Sequence, residues 1–219
     1  MFESVRFVAL DINGTLIDGM YHPWSEVLEK RLGLRRRGDA VRLRLNEVQT
    51  GKISFEEAVS SMYVVEDFEG LRAVAFERYM ADLRLRNGCI ELLEALRRRY
   101  KLVVCSDTTG VTKAIAKRFN LEKYFCKAFY SVDVGWMKSD REFWDLFLSS
   151  LSGRPEESVM IGDNPRCDIH WPNVLGMGTI QIKTTENLSE RDLAVVDEHD
   201  KPDYYVKNLR EVADILLGR

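Results

Sequence analysis

The sequence predicts an α/β protein: a parallel sheet core flanked by helices, with an all-helical segment inserted near the N-terminus. Three observations carry that expectation. Short apolar runs at 7–10, 102–105, 158–161 and 179–182 are bounded by polar or Gly-containing turns, as buried parallel strands are. From Gly88 onward such runs alternate with stretches of helical periodicity, which implies crossover connections and therefore parallel pairing. Between Asp18 and Arg86 no convincing strand is visible, and apolar residues recur at helical spacing instead.

The first run, FVALDINGTL at Phe7–Leu16, breaks off at Asp11 and turns through Asn13-Gly14-Thr15. The loop just past the C-terminal end of a parallel strand is where open sheets bind ligands, so Asp11 is a candidate nucleophile or metal ligand; an ordinary strand-exit turn residue is the plainer alternative. Helical spacing then groups Trp24, Val27, Leu28, Arg31 and Leu32, and again Phe55, Ala58, Val59 and Met62. Hinges are expected near Leu16–His22 and Leu83–Gly88. This divides the chain into a sheet core, residues 1–17 and 87–219, and a helical unit, residues 18–86. After Gly88 the reading continues as helix Cys89–Tyr100, strand Leu102–Cys105, helix Val111–Phe119, a short strand near Phe125–Ser131 and helix Arg141–Leu151. Strand Ser158–Ile161, a helix-like stretch around Asp168–Leu175, strand Thr179–Ile182 and a last strand and helix within Tyr204–Leu217 complete it. The polar stretch Thr184–Pro202 reads as a surface loop with one helical turn.

With 219 residues and 45% hydrophobic content the chain can bury a real core, as one domain or one domain with a sizeable insertion. A net charge of -3, from 32 basic and 35 acidic side chains, creates no field that would recruit nucleic acid or an acidic membrane. The basic runs Arg35–Arg37 and Arg97–Arg99 read as solvated helix faces or ends. Cys89, Cys105, Cys126 and Cys167 have no CxxC spacing and are expected as reduced, mostly buried thiols. No leader is recognisable and no segment approaches the roughly 18 apolar residues of a membrane span, so a cytoplasmic protein is expected. Monomer and homodimer both remain open, since apolar residues such as Trp24 and Phe68 suit either an interior or a partner.

Each of several strand ends carries a group suited to phosphate chemistry: Asp11, Ser106, Lys138 in a loop, and Asp163 with Asp168 in GDNPRCD. Parallel strands leave a sheet on one side, so these distant residues can share one pocket. The segments DINGTL, LVVCSD, WMKSDREF and VMIGDNPRCD resemble the four ordered motifs of the haloacid dehalogenase superfamily. DIHWPNVLGMGTIQI and PDYYVKNLREVADIL are similar to its closing segments, so the resemblance spans nearly the whole chain. It implies a Rossmann-like core with the helical cap of the family's first subclass, and a Mg2+-dependent hydrolase, phosphoglycolate phosphatase-like, acting on a small phosphorylated metabolite. Asp11 would be the nucleophile, forming an aspartyl-phosphate that water breaks down. Mg2+, which prefers oxygen ligands, would be held by Asp11, the main-chain carbonyl of Asn13 and Asp163, with Asp168 holding metal-bound water or orienting Lys138. Ser106 would offer its hydroxyl to a phosphoryl oxygen, and Lys138 would neutralise the nucleophile and the transferring group. Gly14 and Thr15 would shape the turn that presents Asp11, with Thr15 on the substrate side. The resemblance also brings Lys52, in QTGKISFEEA, towards the active site, where it would meet a substrate carboxylate or second phosphate; an exposed lysine at a helix start is the plainer reading. His22 resembles a hinge histidine that some sugar-phosphate mutases of the family place near the nucleophile. Asp107 either repels large anionic substrates or caps the following helix.

One position departs from the pattern. The family's phosphatases carry a second Asp two residues after the nucleophile, which protonates the leaving oxygen and then deprotonates water, and here that residue is Asn13. An amide cannot exchange a proton at neutral pH, so help worth on the order of 10²- to 10⁴-fold is withheld. Four readings follow: an enzyme for leaving groups that need no proton, such as acyl or aryl phosphates; a slow phosphatase in which Asn13 stands in place of Asp; a 2-haloacid dehalogenase-like enzyme needing no metal; or a non-catalytic metal-binding or interaction protein that keeps the fold.

Overall fold

Strand β1 (Phe7–Leu10) is buried at every residue, which only a central position with both faces covered allows. The structure, a computed structural model, describes residues 2, 4–19, 24, 26–35, 44–184 and 194–218. After β1 come β2 (Ile17–Asp18), β3 (Arg84–Leu85), β4 (Lys101–Ser106), β5 (Lys127–Tyr130), β6 (Ser158–Gly162), β7 (Gly178–Ile182) and β8 (Tyr204–Val206). Among the described residues the sheet is six-stranded and parallel, in the order β5-β4-β1-β6-β7-β8. Leu10 is level with Val104 of β4 and with Ile161 of β6, so the three central strands end within two residues of one another. The chain builds outward from β1 to β4 and β5, then returns to the other side of β1. The carboxyl ends of β1, β4 and β6 therefore flank the switch point where open α/β sheets bind their ligands.

Alternation along the strands sorts the core into two faces. Val8, Leu10, Leu102, Val104, Val159 and Ile161 pack with buried residues of α4 (Cys89–Leu96), α5 (Val111–Arg118) and α9 (Leu209–Leu217). Phe7, Ala9, Val103, Cys105 and Met160 pack on the opposite face against Phe143, Trp144 and Phe147 of α7 (Arg141–Leu151). The helix expected to reach Tyr100 ends at Leu96, and a one-turn helix, α6 (Ser131–Val134), follows β5. The expected helical stretch around 168–175 begins earlier, with a π-helical turn at Pro165–Ile169 that runs into α8 (His170–Val174). A 3-10 turn, Glu198–Asp200, lies in the described part of the polar C-terminal loop; residues 185–193 of that loop are outside the described residues.

The inserted segment contains a π-helical turn, Glu26–Arg31, followed by α1 (Leu45–Gln49), α2 (Phe55–Met62) and α3 (Phe68–Tyr79). Ser54 starts α2 with a capping box: its hydroxyl accepts from Glu57 N at 3.0 Å and its own N–H donates to Glu57 at 2.7 Å. The segment is not wholly helical. At its base β2 and β3 pair antiparallel, Ile17 opposite Leu85 and Asp18 opposite Arg84, a ribbon of two residues per strand too short to register as a sequence period. Trp24 turns inward against Phe55 at 4.8 Å and stacks on Tyr79 at 4.7 Å, and Phe68 is half-buried against the same core. The expected hinge residues 20–22 and Arg36–Arg37 of the first basic run lie outside the described residues. Cys89 and Cys105 are buried, Cys167 half-buried, and Cys126 exposed, against the expectation of mostly buried thiols; all four are free. Among the described residues no helix is long and apolar enough to cross a membrane.

Phe147 is fully buried, with ring contacts to Phe129 at 5.5 Å and Trp144 at 5.7 Å. Phe147→Ala leaves a cavity that this aromatic layer cannot close and should cost about 3–5 kcal/mol in urea unfolding. A loss below about 1 kcal/mol would contradict the packing described for this face.

Candidate active site

Asp11 follows β1 directly, Ser106 is the last residue of β4, and Asp163 follows β6, so backbone register alone brings three of the polar groups to one edge of the sheet. Lys138 comes from a loop that is tied down along its length. Its N–H donates to Asp107 Oδ1 at 2.9 Å and its carbonyl accepts from Trp144 Nε1 at 2.8 Å. On either side, Met137 N donates to Asp140 at 2.9 Å and Ser139 O accepts from Trp171 Nε1 at 2.7 Å. The Lys138 ammonium is thereby delivered into the pocket, 2.9 Å from Asp11 Oδ1 and 2.6 Å from Asp168 Oδ1. The other oxygen of Asp168 accepts from Asn164 N at 2.9 Å, while the Asn164 side chain caps the turn that carries Asp168. Asp168 packs so closely on β6 that a Cβ at Gly162 would sit 2.2 Å from its carboxyl carbon. Glycine is required there for space rather than for backbone conformation.

The pocket encloses about 240 Å³ and is lined by Asp11, Asn13, Ser106, Asp107, Lys138, Asp163, Asn164 and Asp168 on the sheet side. Four carboxylates against one ammonium leave an excess of negative charge in a poorly solvated place. Burial pushes the Asp11 carboxyl up to about 6, with the charges of Asp168 and Asp107 acting the same way against the pull of Lys138. Burial raises Asp107 also. Desolvation works against the Lys138 charge, but Asp11, Asp168 and Asp107 together hold its pKa well above the ordinary lysine value, so it stays an ammonium. Asp11, Asp163 and Asp168 each bring a carboxylate oxygen within 4.8 Å of the other two, and all three are buried. A hard divalent cation fits this set on two counts: the donors are oxygen, and its charge offsets the surplus that raises Asp11.

A sequence profile of the haloacid dehalogenase-like hydrolases matches residues 5–170, and a second, HAD-hydrolase-like profile matches 136–212. The first match covers most of the chain and both halves of the carboxylate cluster. The chain belongs to the haloacid dehalogenase-like hydrolases. It is similar to a phosphoserine phosphatase of Thermus thermophilus, 30% identical over 55% of this chain and 46% of that protein. The chain spans about half the length of the curated relatives it matches. A HAD family enzyme of Bacteroides thetaiotaomicron, in complex with magnesium and inorganic phosphate, shares the fold with a TM-score of 0.67 at 20% identity, over 85% of this chain and 98% of that one. A 2-haloacid dehalogenase of Pseudomonas syringae shares it with a TM-score of 0.62 at 18% identity, over 98% and 99%. The fold is thus shared with an enzyme bound to magnesium and phosphate and with a haloacid dehalogenase.

Of the residues expected from sequence, the fold brings Asp11, Asn13, Ser106, Asp107, Lys138, Asp163 and Asp168 together around one pocket. Thr15 is fully buried and does not line it: the turn closed by Leu16 N and Ile17 N on Ile12 O folds its side chain inward. Lys52 is exposed and outside the pocket; Gln49, one turn earlier, lines it instead. His22 lies outside the described residues. Asp107 does not cap the next helix. The N-cap is Gly110, while Thr108 Oγ1 accepts from Gly110 N at 2.9 Å and Thr112 N at 3.0 Å and Asp107 instead holds the Lys138 peptide. Trp24, Gln49 and Tyr79 from the inserted segment, and Thr108, Thr109 and Thr112 around the start of α5, also line it, with Val111 and Cys167. The Asn13 amide donates to Thr112 Oγ1 at 3.2 Å. Nothing in the sequence distinguished Gln49 or Tyr79 from ordinary helix residues, whereas the SDTTGVT run after β4 was a visible hydroxyl cluster.

The raised Asp11 pKa makes a stability prediction for the metal-free protein. Unfolding drops the group from about 6 to its ordinary 3.8, so between those values the folded state holds more protons and stability falls as pH rises. In EDTA, the stability of wild type relative to Asp11→Asn should decline from pH 4 to pH 7 in urea titrations. A relative stability that is flat or rising over that window would contradict the burial account.

Proposed function

We propose that this hydrolase is a magnesium-dependent phosphatase of a small phosphorylated metabolite, working through an aspartyl-phosphate at Asp11. The observation that carries the reading is the Lys138 ammonium shared by Asp11 and Asp168 beside a third buried carboxylate, Asp163. Attack on the carbon of a haloacid does not need the acidic pair Asp163 and Asp168, whereas an anionic nucleophile approaching an anionic phosphate is served by a cation held there beside Lys138. Asp11, Asp163 and the main-chain carbonyl of Asn13 would hold Mg2+, with Asp168 beside it; the bound ion would supply charge neutralisation. Asp11 attacks phosphorus, the new bond to its carboxylate oxygen forming as the bond to the leaving oxygen breaks, and water then displaces phosphate from Asp11. Ser106 donates to a phosphoryl oxygen. Lys138 offsets the charge of the nucleophile and of the group in transfer, and Asp107 keeps Lys138 in place through its peptide N–H.

Residues 18–86 serve as a cap over a core of residues 1–17 and 87–219. Trp24, Gln49 and Tyr79 reach the pocket from that segment. Gly51, at φ +65°, lies so near the core that a Cβ there would meet Val132 O at 2.6 Å, a contact that supports closure at this point. The small pocket and the phosphoserine phosphatase relative favour a small substrate. Because Asn13 cannot give or take a proton, the leaving group must depart without one, which favours acyl and aryl phosphates.

The test is steady-state hydrolysis of acetyl, p-nitrophenyl and alkyl phosphates with and without magnesium, beside Asp11→Ala, Asn13→Asp and a 2-chloropropionate control. Magnesium-dependent phosphate release that is lost in Asp11→Ala, at an unchanged Tm, is expected. Asn13→Asp should raise the rate of enzyme phosphorylation, read as leaving-group release in a single turnover, by on the order of 10²-fold for alkyl phosphates and far less for acetyl phosphate. Equal gains on both would overturn the leaving-group argument, and chloride release without metal would overturn the phosphatase.

A further inference from the structure

Arg86 is 8% exposed and leaves β3 at the base of the inserted segment, its N–H bonded to Leu16 O at 2.9 Å. Its guanidinium reaches three separate parts of the core. Nη1 donates to Gly14 O at 2.8 Å, Nη2 to Lys183 O at 2.7 Å and, at 3.5 Å, to Lys207 O, while Nε faces Asp18 at 3.8 Å. As a stability device this is a poor choice, since one loose ion pair does not return the cost of desolvating the charge. The carbonyls it holds have a particular placement. Gly14 is the peptide next to the Asn13 carbonyl. Lys183 precedes Thr184, whose hydroxyl donates to Asp163 Oδ2. Asp163 is also one of the two carboxylates whose charge acts on Arg86.

We propose that Arg86 is a positioning residue for the metal site: its fork pins the peptides that adjoin Asn13 and Thr184, and so sets the Asn13 carbonyl and the Asp163 carboxylate relative to one another. The two groups lie on the loops after β1 and β6; one planar cation joins the loop after β1 to the loop after β7, and Thr184 of the latter carries the link to Asp163. Since Arg86 stands one residue beyond the ribbon that carries the inserted segment, a movement of that ribbon reaches the site through the same contacts. The inference rests on the magnesium site proposed above.

The full chain, wild type and the variants Arg86→Met and Arg86→Lys, is titrated with MgCl2 by calorimetry without substrate, after Tm in EDTA has verified folding. Folded Arg86→Met should bind magnesium at least about tenfold more weakly, the usual effect of removing a group that orients a ligand, with Arg86→Lys, which keeps the charge and loses the fork, falling between. A purely structural arginine would lower Tm and leave the affinity of the folded protein untouched. Wild-type affinity in the folded variants overturns the proposal; if Arg86→Met does not fold, Arg86→Lys alone decides, at a threshold of about threefold. Wild type that binds no magnesium overturns the phosphatase reading and this proposal with it, whereas variants that bind as tightly as wild type overturn this proposal alone.

Discussion

One ammonium between two buried carboxylates organises this protein. Lys138 stands 2.9 Å from Asp11 and 2.6 Å from Asp168, all three nearly without solvent. Burying an ion triad returns little net stability, because desolvation consumes most of the Coulombic gain, and removing one member is typically worth about 3–5 kcal/mol of destabilisation. Such a site persists where its charges have work to do. The surrounding structure is consistent with that cost: two tryptophan N–H groups, the Asp107 carboxylate and the Asp140 side chain fix the backbone of a single loop so that one side chain arrives in one place.

The parallel sheet makes the arrangement possible. Adjacent strands β4, β1 and β6 end within two residues of one another, so residues far apart in sequence meet at one edge. The opposite face of the same strands is filled by the Phe143, Trp144 and Phe147 layer, which holds the edge rigid while the inserted segment supplies the remaining wall. Position 13 then separates two requirements of the proposed phosphoryl transfer: charge neutralisation with alignment, for which the pocket is lined, and proton delivery to a basic leaving oxygen, which Asn13 cannot perform.

The sheet and the polar groups at its edge were legible because they are written locally. An apolar run that stops at Asp11, or at Ser106, states both the strand and its exposed end, and the order of such runs implies the pocket. What was not legible depends on tertiary geometry. A strand of two residues has no period, so β2 and β3 were invisible. The choice of Gln49 over Lys52 turns on how α1 approaches the core, and the inward folding of Thr15 on a turn whose sequence suits either orientation. Asp107 and Thr108 are equally plausible acceptors at the start of α5 as residue types; the outcome was decided by the Lys138 peptide N–H, thirty-one residues away, which needs an acceptor.

The central claim is that Asp11 becomes phosphorylated, and borohydride trapping tests it most directly. Protein mixed with acetyl phosphate and magnesium, quenched early and reduced, should carry homoserine at position 11 in the peptide spanning β1 and its following loop. The product should be absent without magnesium. Release of phosphate with Asp11 unmodified at every quench time, or reduction at a different carboxylate, would contradict the account.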